Sequence, residues 1–138
     1  MRDTIDINSN DNALFITSQC NNRCVMCCQP PLLRNDLDGY FQKNKALIDS
    51  APRELRSLGI TGGEPTLLGD RLFELLRHIR TKLPETEIHL LTNGRAFADK
   101  EYARKLSFFV VAFSKMILAM GCKAAKRLYS LASHSQNR

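Results

Sequence analysis

Apolar residues in the first hundred positions follow two rhythms: short unbroken runs of about four or five, and longer stretches spaced three or four apart. Ala13-Leu14-Phe15-Ile16-Thr17 is the first short run, and it ends on polar Ser18-Gln19 as a buried parallel strand does. Leu58-Gly59-Ile60-Thr61 and Glu87-Ile88-His89-Leu90-Leu91 are the second and third. The helical rhythm is clearest in Leu72, Leu75, Leu76, Ile79 and Leu83, which predicts a helix over Arg71–Lys82 with Asp70 as N-cap and Pro84 as its stop. A helix from about Tyr40 to Ser50, closed by Pro52, and another over about Ala96–Leu106 complete three strand–loop–helix units. Arg34–Gly39, after Pro30-Pro31, is polar and rich in turn formers and reads as loop.

Such units in series imply an α/β fold with parallel strands and right-handed crossovers. The loops leaving the C-terminal ends of the strands then share one rim, where α/β folds assemble their sites. Those loops hold the most distinctive residues in the chain: cysteines at 20, 24 and 27, then Gly62-Gly63-Glu64-Pro65, then Thr92-Asn93-Gly94. They are expected to converge although about 40 and 30 residues separate them in sequence.

Composition narrows the class. At 138 residues, 43% hydrophobic and 25% charged, the chain is sized and balanced for one globular domain. The net charge of +6 is unevenly spread, since residues 1–101 hold 13 Lys/Arg against 14 Asp/Glu, whereas residues 102–138 hold seven Lys/Arg and no acid. A basic tail with neither interleaved aromatics nor a reading helix makes a poor nucleic-acid site, so no such partner is expected. Met1–Asn12 is polar and acidic, without the apolar centre of a signal peptide. The longest apolar run, Phe108–Met120, is broken by Ser114 and Lys115 and falls short of a membrane span. The expectation is a cytoplasmic protein without a membrane partner.

Four of the five cysteines lie within nine residues of a chain with no export signal, which fits metal or cluster binding better than disulfides. The spacing Cys20-x3-Cys24-x2-Cys27 offers three thiolates from one loop, enough for a [4Fe–4S] cubane with one iron left open to an exogenous ligand. A structural zinc site would need further ligands, and no second Cys/His pair follows at finger spacing. His78 falls in the amphipathic helix and His89 in a strand, positions that suit surface or packing roles. Cys28, adjacent to Cys27, points poorly at the same centre and reads as a small packed neighbour, and Cys122 stands isolated in the tail.

Cys20-Asn-Asn-Arg-Cys24-Val-Met-Cys27 resembles the CxxxCxxC loop of the radical S-adenosylmethionine (SAM) superfamily, placed after a first strand as in that family. Gly62-Gly63-Glu64-Pro65 looks like the family's second-strand motif, and Thr92-Asn93-Gly94 resembles the turn after its third strand. The resemblance implies a fold: the N-terminal half of a partial (β/α)6 TIM-like barrel, about three β/α units. It also implies two cofactors, a [4Fe–4S] cluster on Cys20, Cys24 and Cys27 and SAM chelating the open iron. The Gly62–Pro65 backbone and the Glu64 carboxylate would receive the SAM ammonium, with the glycines permitting close approach, and Thr92, Asn93 and Gly94 would lie near its ribose and methionine parts. Met26 stands where the family often has an aromatic residue, and its thioether would pack on the adenine. The implied chemistry is reductive cleavage of SAM to a 5′-deoxyadenosyl radical, with the electron supplied by a donor such as flavodoxin or ferredoxin.

Within the superfamily, Leu14–Cys24, Gln29-Pro30-Pro31 and Leu58–Gly69 are similar to the bacterial His-Xaa-Ser system maturases, over roughly residues 12–105. That similarity implies a small ribosomally made peptide as substrate. The core is expected over residues 1–106 and a divergent basic tail over 107–138. Three units are half of the family's six, and the resemblance stops where acidic residues vanish. A frameshifted or prematurely ended reading frame accounts for both, with a native basic helix over Phe109–Leu131 as the alternative. On the first account the chain is a truncated fragment that at most binds a cluster.

Overall fold

A computed structural model of the chain describes residues 5–9, 11–25, 27, 32 and 36–109, and the backbone of 112–113. Among the described residues four strands, β1 (Ala13–Phe15), β2 (Ser57–Thr61), β3 (Glu87–Leu90) and β4 (Ala112–Phe113), form one sheet in the order β1-β2-β3-β4. Every neighbouring pair is parallel, with Leu14 beside Ile60, Ile60 beside Leu90, and Leu90 beside Phe113. The connections contain α1 (Leu37–Asp49), α2 (Asp70–Lys82) and α3 (Lys100–Ser107). The α/β half-barrel architecture expected from the sequence is therefore present.

One face of the sheet is dry. Leu58, Ile60, Ile88 and Leu90 are fully buried there, in one cluster with Leu72, Leu75, Leu76 and Ile79 of α2 and Phe41 and Ile48 of α1. At about 1.5–3 kcal/mol per buried large apolar side chain, this cluster is the principal stabilising element. The opposite face, carrying Gly59, Thr61 and His89, is only half-buried among the described residues. The strands thus alternate between buried and half-buried positions, where a parallel sheet covered on both faces would be continuously buried.

Several element boundaries differ from the sequence reading. α1 begins at Leu37, inside the stretch read as loop. Asp38 and Gly39 are weak helix formers, but Leu37 packs against the core and Arg71 pairs with Asp38, so tertiary contacts override propensity. α2 takes Gly69, at φ 60°, as its N-cap, and Asp70 lies in the first turn, where its charge complements the helix dipole. The helix expected over Ala96–Leu106 is divided into a 3-10 turn at Arg95–Ala98 and α3. Asp99 makes the division, its carboxylate accepting from the N–H groups of Glu101 and Tyr102 at 2.9 and 3.2 Å.

The sheet also continues past residue 106, where the core was expected to stop, since β4 pairs with His89 and Leu90. Arg80 holds this corner: its guanidinium donates to Thr86 O at 2.6 Å and to Phe109 O at 2.7 Å, joining the end of α2 to the entry of β3 and the exit of α3. Residues 114–138, which carry most of the expected tail and Cys122, lie outside the described residues.

Candidate functional site

The three loops do share one rim, and their backbones are bonded to one another. Beyond β1, Gly63 N donates to Thr17 O at 2.6 Å and Glu64 N to Gln19 O at 2.8 Å, so the second loop lies directly against the start of the cysteine loop. This explains the two glycines. Gly62 has φ 137°, and a Cβ there would stand 2.6 Å from Thr17 O, while one on Gly63 would stand 2.0 Å from Gln19 O. The backbone of Thr17–Gln19 occupies the space that side chains at these two positions would need.

Glu64 is the second surprise. Read from sequence as a receiver of the SAM ammonium, it is fully buried. Its Oε1 accepts from Thr66 N at 3.0 Å and from the hydroxyls of Thr66 and Thr92 at 2.6 Å each, and its Oε2 accepts from Asn93 N at 2.7 Å. A buried carboxylate needs such donors to offset its desolvation, and here they come from both the second and third loops. Glu64 therefore ties the Gly-Gly-Glu-Pro turn to the Thr-Asn-Gly turn. Pro65 opens the 3-10 turn Pro65–Leu68 that leads to α2, and Gly94 adopts φ 75°, with its N–H on Thr92 Oγ1 at 3.1 Å.

The cysteine loop is held at both ends. Asp36, just ahead of α1, accepts from Thr17 Oγ1 at 2.6 Å, from Ser18 N at 3.1 Å and from the Ser18 hydroxyl, while Leu32 N donates to Ser18 O at 3.1 Å. Burial alone would push the Asp36 carboxyl up, but the hydrogen bonds from Ser18 and Thr17 outweigh it and hold the group below the usual carboxylate range. Cys20 and Cys24 are half-buried and Cys27 is exposed, with Cys27 N on Cys24 O at 3.1 Å. Asn22 Nδ2 donates to Cys24 Sγ at 3.3 Å. From the third loop, Asn93 Nδ2 reaches Asn21 Oδ1 at 2.8 Å and Cys20 Sγ at 3.8 Å, and Arg95 Nη1 donates to Asn21 O at 3.2 Å.

The donor set suits an iron–sulfur cluster: three thiols on one short loop, two of them already approached by amide N–H groups that would stabilise thiolate charge. Among the described residues no three Cys, His, Asp or Glu side chains converge on one point. Met26 and Cys28 lie outside the described residues. His78 Nε2 lies 3.1 Å from Asp49 Oδ1 and His89 Nε2 lies 3.7 Å from Glu87 Oε2, and both side chains are half-buried. Asp36, Asn21, Asn22, Thr66 and Arg95 were not singled out from sequence. Asn21 and Asn22, inside the cysteine spacing, had the only local cue.

The C-terminal rim of a parallel β/α sheet thus braces a three-cysteine loop against two glycine-containing turns. Residues 14–111 match the family model of the radical SAM superfamily, and the chain belongs to that superfamily. Its members bind a [4Fe–4S] cluster and S-adenosylmethionine.

Two curated relatives are both named GTP 3',8-cyclase. The one from Desulforamulus reducens is 32% identical over 106 residues, covering 72% of this chain and 31% of the relative. The one from Paenarthrobacter nicotinovorans is 30% identical over 102 residues, covering 65% of this chain and 26% of the relative. The chain therefore spans between a quarter and a third of the length of these relatives. No solved structure matches it. Among the described residues no helix is long and apolar enough to cross a membrane.

Proposed function

We propose that this chain is the cluster- and SAM-binding part of a radical SAM enzyme, with Cys20, Cys24 and Cys27 holding three irons and the Gly62–Pro65 and Thr92–Gly94 turns, with Met26, seating SAM. The observation that carries the reading is the bracing of all three motif loops into one unit through Glu64, Gly63 and Asn93. When bound, the reduced cluster and SAM supply a 5′-deoxyadenosyl radical that takes a hydrogen atom from a substrate. The chain's own residues bind and orient. Glu64, buried beneath the rim, fixes the two turns that would seat SAM relative to each other.

The substrate we propose is a small ribosomally made peptide, supported by the similarity of residues 12–105 to His-Xaa-Ser system maturases, with a flavodoxin or ferredoxin as electron donor. The names of the two relatives favour a second reading, in which the substrate is a purine nucleoside triphosphate. One assay addresses both. Anaerobically reconstituted protein, reduced with dithionite and given SAM, should release 5′-deoxyadenosine, and a His-x-Ser peptide should raise that release several-fold. Stimulation by GTP and not by peptide would transfer the assignment to the second reading. A cluster without SAM cleavage would assign this chain binding alone, and an unchanged cluster spectrum in Cys20→Ala, Cys24→Ala and Cys27→Ala would remove the ligand assignment.

A further inference from the structure

Two side-chain amides approach the cysteine sulfurs from different parts of the chain, and in both the orientation is set by the neighbouring backbone. Asn22 Oδ1 accepts from Arg23 N at 3.0 Å, which turns Nδ2 toward Cys24 Sγ at 3.3 Å. Asn93 Oδ1 accepts from Arg95 N at 3.0 Å, which turns Nδ2 toward Asn21 Oδ1 and Cys20 Sγ. Flipping either amide would set an NH2 against a backbone N–H, so the hydrogen-bond network itself fixes nitrogen, not oxygen, on the sulfur side. Asn93 is further held by its backbone N–H on Glu64 Oε2 at 2.7 Å.

An electron added to an iron–sulfur cluster increases the negative charge on its sulfurs, and an N–H dipole aimed at a ligand sulfur stabilises that charge. We infer that Asn22 and Asn93 are positioning residues that raise the reduction potential of the cluster by donating to the sulfurs of Cys24 and Cys20. The inference rests on the ligand assignment proposed above. It gives the third loop a task beyond SAM contact.

The test uses the full chain, reconstituted anaerobically, with one electron from dithionite taking the cluster from its 2+ to its 1+ state under potentiometric control. Asn93→Ala keeps the backbone N–H to Glu64 and removes the amide, and Asn22→Ala removes the other donor within an exposed loop. In each variant the reduced-to-oxidised ratio at a fixed potential should fall about tenfold, a negative shift of about 59 mV for a one-electron couple, with iron content unchanged. Midpoints equal to wild type in both variants would overturn the inference while leaving the ligands in place. If Asn93→Ala takes up no cluster, Asn22→Ala decides alone. A wild-type protein that takes up no cluster would overturn the ligand assignment, and this inference with it.

Discussion

A Cβ on Gly63 would stand 2.0 Å from Gln19 O, closer than any side chain tolerates, so Gly63→Ala must move either the second loop or the cysteine loop. The expected outcome is a loss of about 1–3 kcal/mol in urea unfolding, as for overpacking elsewhere, accompanied by reduced iron uptake on reconstitution. Tyr102 is the opposite case. Its hydroxyl is buried with no hydrogen-bond partner among the described residues, while its ring packs edge-on against Phe73 at 5.1 Å. Burial, then the nearby negative charges of Glu64 and Asp70, push its pKa up to about 12. Tyr102→Phe keeps the ring and removes an unsatisfied group, so thermal unfolding should occur at the wild-type temperature or higher, with a gain of up to about 1 kcal/mol. A fall of several degrees would show that the hydroxyl has a partner.

Among the elements, the connection from β1 to α1 carries the greatest functional weight, because it contains the cysteines. Asp36 closes it by accepting from Thr17 and Ser18. Its folded carboxyl titrates below the unfolded one, so the unfolded state binds the proton first as pH falls. The stability that Asp36 contributes is therefore complete above the ordinary carboxylate range and is lost as pH drops toward the lowered value. Melting temperatures measured from pH 6 to pH 3 should fall more steeply for wild type than for Asp36→Asn; parallel curves would mean that Asp36 does not hold the loop. The helices follow the same logic of local cues outweighed by tertiary ones. Asp99 stops the 3-10 turn and starts α3 through its own carboxylate, whereas the start of α1 at Leu37 depends on packing and on Arg71 from another helix.

At the scale of the molecule, the sheet and its single buried face present three loops on one rim, and a ligand that bridges them should stabilise the whole fold. Cluster uptake should raise the melting temperature, with the stabilisation growing as RT ln(1 + [L]/Kd), about 2.7 kcal/mol at a hundredfold excess over Kd. Slowed amide exchange should appear at Gly63, Glu64 and Asn93 together, and an unmoved melting temperature would count against a bridging cofactor. Much of this architecture was legible in the sequence. The short apolar runs marked β1, β2 and β3, the periodicity of Leu72, Leu75, Leu76 and Ile79 marked α2, and parallel order placed Cys20, Gly62 and Thr92 on the same side. These follow from local periodicity and from the handedness of β/α crossovers, which need no knowledge of distant contacts. β4 was missed because a two-residue strand has no period to detect, and only its pairing with His89 and Leu90 defines it. The motif residues were legible as a set, but not their partners. That the glycines accommodate Thr17–Gln19, that Glu64 faces inward to bind Thr92 and Asn93, and that Asn93 reaches Cys20 were decided by tertiary structure. A buried polar group must find partners wherever the fold brings them, and those partners lie 28, 29 and 73 residues away along the chain.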